Sequence, residues 1–150
     1  MPLRPRAEYE AHLAQLGTSC AFCTMSRELD IADYSHWKLV YAAFPYRRYH
    51  TLLVSKEHVR SFSEIKPGAL AELALLTKEV ERIYRDSGVL KQRSTEGDQL
   101  FFSWRNRNEN EGQKESVRHF HLHIYPENSE ELAITLHDKP WTIDLGVLRP

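Results

Sequence analysis

From His119 to Tyr125 the chain alternates strictly between polar or aromatic and apolar side chains, His-Phe-His-Leu-His-Ile-Tyr. A period of two is that of a half-buried β-strand, whose successive side chains point to opposite faces. It puts His119, His121 and His123 on one face and sends Phe120, Leu122 and Ile124 into a core. A different period governs residues 67–86, where Leu70, Leu73, Ala74, Thr77, Val80, Ile83 and Tyr84 recur at steps of three and four. That spacing predicts an amphipathic helix, with Pro67 suited to its first turn and Gly88 to its exit. Trp37 to Phe44 reads as a strand ending at Pro45, Thr51 to Val54 as a second strand after the turn Pro45-Tyr46-Arg47-Arg48, and Leu100 to Arg105 as a third. A short helix is expected over 5–16, where Tyr9, Leu13 and Leu16 precede Gly17. The alternation of Trp141, Ile143, Leu145 and Val147 fits an edge strand or a segment packed on a partner subunit. The polar run from Asn106 to Ser116 suits a loop beside a site. Few strands, mostly antiparallel, with helices gathered on one side make an α+β domain.

Composition places this pattern in a soluble globular chain. At 150 residues, with 41% hydrophobic and 27% charged side chains, one two-layer domain is expected over 1–150. The formal net charge of −1 gives no overall bias toward nucleic acid or an anionic membrane, and Arg47-Arg48 reads as a solvated loop. No apolar run follows the charges of Met1 to Arg6, and none approaches the length of a membrane span, so a cytoplasmic setting is expected.

The candidate chemistry lies in the histidines and two cysteines. Along a strand, residues two apart stand ~7 Å apart and residues four apart ~13 Å. Metal–nitrogen bonds are only about 2 Å long, so one ion cannot comfortably take both His119 and His123. One end of the row is available to a metal and the rest to a substrate. Cys20 and Cys23, in Cys-Ala-Phe-Cys, read as metal ligands, a redox dithiol or two small buried thiols. Two further histidines, His50 and His58, bracket the second strand in His50-Thr-Leu-Leu-Val-Ser-Lys-Glu-His58.

Taken together, the His-rich strand, the upstream His-x-Leu-Val-x-x-Lys-x-His strand and the preceding Cys-x-x-Cys make the chain resemble the histidine triad family of nucleotide hydrolases and transferases. The likeness spans Cys20 to Tyr125, with the core motifs over about 18–127 and a tail over 128–150. It implies a sheet of about five antiparallel strands with helices packed on it, and a homodimer. It further implies a structural zinc on Cys20, Cys23, His58 and His119, a closed tetrahedral set of soft and intermediate ligands. His121 takes the position of the family's nucleophile, which attacks phosphorus while a backbone carbonyl fixes its tautomer. His123 and His50 would bond to the phosphate and to the histidine network. Ser116, five residues before His121, stands where the family places a Ser or Thr against phosphate or leaving group. Asn106 or Asn108, with Gln113, would contact substrate.

The chain also departs from that pattern. Nucleoside-binding members carry an acidic ribose clamp about eight positions before the His50 equivalent, and here the position is Ala42. The Gly-Gln-Ser lead-in is lengthened, because Lys114-Glu115 separates Gly112-Gln113 from Ser116, and Tyr125-Pro126-Glu127 replaces the usual exit from the row. The implied activity is hydrolysis or transfer at phosphorus of a nucleotide or related phosphoester. A slow, regulatory phosphoester-binding protein on the same fold is the alternative, and a hydrolase using the row itself as catalytic metal ligands is a third reading.

Overall fold

A computed structural model of the chain describes residues 20, 22–23, 27–43, 45, 48–90, 99–105, 119–127 and 145–149. Its elements are β1 (Asp30–Asp33), β2 (Trp37–Tyr41), β3 (Thr51–Ser55), α1 (Pro67–Asp86), β4 (Gln99–Ser103) and β5 (His121–Glu127), with 3-10 turns at Arg27–Leu29 and Phe62–Glu64. The strands form one five-stranded sheet in the order β1-β2-β3-β5-β4, and every neighbouring pair is antiparallel. The α+β reading and the strand count are those of the structure. The expected helix over 5–16 and most of the C-terminal alternation lie outside the described residues.

Each element follows its period. Helix α1 has the bounds its spacing predicts and buries Leu73, Leu76, Val80, Ile83 and Tyr84 against the sheet. At roughly 1.5–3 kcal/mol per fully buried large apolar side chain, that stripe is what holds the helix down. Trp37 of β2 adds an anchor, donating from its indole Nε1 to the carbonyl of Ala69 at 2.8 Å. Gly88, with φ of 82°, supplies the left-handed exit that residues with a Cβ rarely adopt.

The sheet is apolar on both faces, which is why β3 is buried at all five positions. One face, carrying Trp37, Leu39, Tyr41, Leu53, Leu122 and Ile124, meets α1. The other carries Val40, Ala42, Leu52 and Val54 with Phe22 packed on them. In register with this second face, His121 stands opposite Val54 and His123 opposite Leu52.

Several elements differ from the periodic reading; the strand expected over Leu100 to Arg105 spans Gln99–Ser103 instead, where its pairing with β5 ends at His123. Strand β2 stops at Tyr41, and Ala42 makes one more bond, from its N–H to the carbonyl of His50 at 3.0 Å, before the chain turns. Strand β5 begins at His121 rather than His119. His119 and Phe120 leave the ladder because Phe120 donates to the carbonyl of Val59 at 2.6 Å, tying this segment to the loop after β3. Strand β1, Asp-Ile-Ala-Asp, was not visible in the pattern at all. It has a single buried residue, Ile31, and an irregular register with β2. Residues 145–149 return to the sheet, where the Tyr41 hydroxyl donates to the carbonyl of Leu145 at 2.8 Å and Leu148 is buried. None of the helices among the described residues is long and apolar enough to cross a membrane.

Candidate active site and metal cluster

The tie between Phe120 and Val59 brings two histidines distant in sequence side by side. His58 lies in the loop leaving β3, His119 in the segment entering β5, and their Nδ1 atoms are 3.1 Å apart. The turn holding Cys20 and Cys23 closes over them. Cys20 Sγ lies 3.5 Å from His119 Nδ1, and Cys23 Sγ lies 3.3 Å from His58 Nδ1 and 3.6 Å from His119 Nδ1. All four donor atoms fall within 4.8 Å of one another. A tetrahedral zinc ion with bonds of about 2.0–2.3 Å sets its ligands roughly 3.3–3.8 Å apart; the three sulfur–nitrogen spacings match this and the nitrogen pair at 3.1 Å is slightly closer.

The chemistry of the donors also fits a cation. His119 is buried and donates from Nε2 to the carbonyl of Ser55 at 2.5 Å, so Nδ1 presents its lone pair to the cluster. Two imidazole nitrogens 3.1 Å apart need a proton or a metal between them. Burial lowers the His119 pKa and so favours its neutral form, the form that can ligate a metal. Burial, and then the neighbouring Cys20, raise the Cys23 thiol. A bound cation would reverse that preference and draw out the thiolate.

Two residues along the chain, the tautomer is reversed. His121 donates from Nδ1 to the carbonyl of His119 at 2.7 Å, so in the neutral ring the lone pair is on Nε2. His123 follows on the same face, with its ring 4.8 Å from that of His121. Its Nδ1 lies 2.9 Å from Nε2 of His50, one nitrogen donating to the other. His50 is buried beneath the site, and its pKa is pushed well below the ordinary histidine value by desolvation first and then by His123 and His121. It is held neutral at physiological pH.

Two aromatic residues complete the site, and neither stood out in the sequence. Phe22, between the two cysteines, sets its ring 4.9 Å from that of His121 and 5.7 Å from that of His119. Tyr125 meets the His50 ring edge-on at 5.6 Å. Tyr125 continues the period of the row, so its face was readable; the contact of Phe22 crosses about a hundred residues and was not. Ala42 is buried beside His50 within the apolar patch, so no carboxylate occupies that place. Beside the patch opens a cleft of ≈ 440 Å³ lined by Phe22, Lys38, Val54 and Lys56 among others. Lys38 faces Val54 across β2 and β3, and Val54 faces His121 across β3 and β5. Ser116, Gln113, Asn106 and Asn108 lie outside the described residues.

The arrangement therefore has two parts, a Cys2His2 cluster and a group of three histidines, His50, His121 and His123, linked by ring contacts and a hydrogen bond. The HIT domain model matches residues 31–130. Among solved structures, a zinc-bound histidine triad family protein from Mycobacterium smegmatis superposes with a TM-score of 0.61 at 22% identity, over 87% of this chain and 91% of that one. A hypothetical histidine triad nucleotide-binding protein from Sulfolobus tokodaii is 27% identical over 73% of this chain and 70% of its own, with a TM-score of 0.55. The diadenosine triphosphate hydrolase of Plasmodium falciparum, solved with cyclomarin A, gives 0.51 at 15% identity over 83% and 84%. No curated protein matches the chain significantly. Two thirds of the chain falls within the match to the family model: this protein belongs to the HIT, or histidine triad, family.

Proposed function

We propose that the protein is a nucleotide hydrolase or nucleotidyl transferase that works through a covalent intermediate on His121. The observation that carries this reading is the bond from His121 Nδ1 to the carbonyl of His119, which in the neutral ring puts the lone pair on Nε2. In the first step that nitrogen attacks the phosphorus of a nucleoside phosphoramidate or polyphosphate. The N–P bond forms as the bond to the leaving group breaks, and the leaving group takes a proton. In the second step water attacks the nucleotidyl-histidine, the N–P bond breaks and nucleoside monophosphate departs. An acceptor such as phosphate in place of water would make the enzyme a transferase.

The other residues take supporting roles. His123, backed by neutral His50, would donate to a phosphate oxygen, and Ser116 would do the same for phosphate or leaving group. Asn106, Asn108 and Gln113 would hold the substrate. The apolar patch of Val40, Ala42, Leu52 and Val54, walled by Phe22, suits a flat base.

Cys20, Cys23, His58 and His119 would hold zinc, which supplies a structural cross-link with all four positions filled by protein. His119 would then serve the metal, and its carbonyl would serve His121. A reducing compartment such as the cytoplasm would keep both thiols available. The exposed Phe101 on edge strand β4 marks where a second copy could extend the sheet into a homodimer. The tail over 128–150 would belong to the same single domain, since Arg149 donates to the carbonyls of Glu28 and Asp30.

Ala42 favours a second reading, a phosphoester-binding protein with slow turnover, because a ribose has no carboxylate to grip there. Product analysis separates the two. The wild type and His121→Ala are each incubated with adenosine 5′-phosphoramidate, a diadenosine polyphosphate and a nucleoside diphosphate sugar. Nucleoside monophosphate released by the wild type alone supports the enzyme. Tight binding without release by either supports the regulatory reading.

A further inference from the structure

Helix α1 covers the sheet face opposite the histidines, yet one of its side chains reaches the backbone on both sides of His50. Tyr84 is fully buried, and its hydroxyl donates to the carbonyl of Tyr49. The same hydroxyl lies 2.9 Å from Thr51 Oγ1 and accepts its proton. Tyr49 has φ of 59°, the one positive value at a non-glycine residue among the described residues. Such a backbone persists only where its surroundings enforce it. A single phenol thus fixes residues 49 and 51. His50 between them has little room to move, and its imidazole meets His123 at 2.9 Å on the far face. Burial raises the Tyr84 pKa, which keeps the phenol protonated as a donor.

We propose that Tyr84 is a positioning residue for the His50–His123 pair, acting across the sheet by locking the left-handed backbone at Tyr49. The inference rests on the catalytic reading above, since it assigns that pair a task. Tyr84 packs among Val80, Ile83 and Leu53 on the helix side and does not touch the site. Its effect must pass through the backbone of Tyr49 and Thr51.

The test compares Tyr84→Phe, which removes only the hydroxyl, with Thr51→Val, which keeps the bond to Tyr49. On adenosine 5′-phosphoramidate, Tyr84→Phe is expected to lower kcat about tenfold with KM within about twofold, and Thr51→Val to lower it less. In a His50→Ala background the same change should cost under about twofold, because the residue being positioned is gone. An unchanged kcat, or the full loss repeated in that background, overturns the proposal. Imidazole 15N spectra give a readout that needs no turnover. Tyr84→Phe should shift or broaden His50 and His123 signals while exposed His36 stays unmoved and Thr51→Val resembles wild type. If the wild type turns nothing over, the catalytic reading fails and these spectra alone decide. Unmoved His50 and His123 signals overturn the lock.

Discussion

His119 and His121 are two residues apart and use opposite nitrogens. At His119 the carbonyl of Ser55 takes the Nε2 proton and Nδ1 faces two cysteines and His58. At His121 the carbonyl of His119 itself takes the Nδ1 proton. The difference lies in the backbone. His119 sits just outside the sheet, where the bond between Phe120 and Val59 turns the chain toward the loop after β3. His121 opens the strand. Imidazole is the same group at both positions, and the nearest carbonyl decides which nitrogen holds the proton.

The largest expected effect is on the reactive side. His121→Ala should reduce turnover of a nucleoside phosphoramidate by at least about 10⁴-fold in steady-state assays, with the melting temperature nearly unchanged. Loss of only a few-fold would remove His121 from the mechanism. The metal side should respond in the reverse sense. Cys20→Ser or Cys23→Ser should abolish bound zinc by elemental analysis and lower the melting temperature by about 10 °C or more, because metal affinity is folding energy. Turnover per molecule still folded should fall less than stability does.

Acid should separate the two regions further. The His50 pKa is depressed by folding, so below its ordinary value near 6.5 the unfolded chain binds a proton that the folded one refuses. Its stabilising contribution is complete above that pH and is lost as pH falls toward the folded value. Urea midpoints should therefore drop between about pH 7.5 and 5.5, and His50→Gln should flatten the slope. A slope unchanged in that variant would assign the dependence to other groups. The smallest effect belongs to Phe22, whose ring bridges the two regions. Phe22→Ala should raise KM for an adenine nucleotide by roughly three- to tenfold at unchanged zinc content, at the low end of a buried aromatic contact. Loss of zinc in that variant would make the ring part of the metal loop instead.

Much of this division was legible in the chain, for identifiable reasons. Helix α1 and strands β2, β3 and β5 carry strong apolar signals because each buries several side chains, whereas β4 buries none and was read from its run of apolar residues alone. Strand β1 carries none, since Ile31 is its one buried residue and pairing with β2 supplies its order. The alternation also ran two residues past the true start of β5, because a bond to Val59 rather than a change of pattern ends the ladder. The grouping of Cys20, Cys23, His58 and His119 was readable from resemblance, and the shared face of His121 and His123 from the period of two. The roles of Phe22 and Tyr84 were not, because their contacts with His121 and Tyr49 join segments far apart in sequence and leave no local mark.

The central claim is that the row is split by tautomer. Imidazole 15N spectroscopy of the zinc-loaded protein near neutral pH reads it directly. The account predicts His119 bound to metal through Nδ1 with its proton on Nε2, and His121 with its proton on Nδ1 and an unprotonated Nε2. A His121 proton on Nε2, or a His119 signal indifferent to zinc, would contradict it.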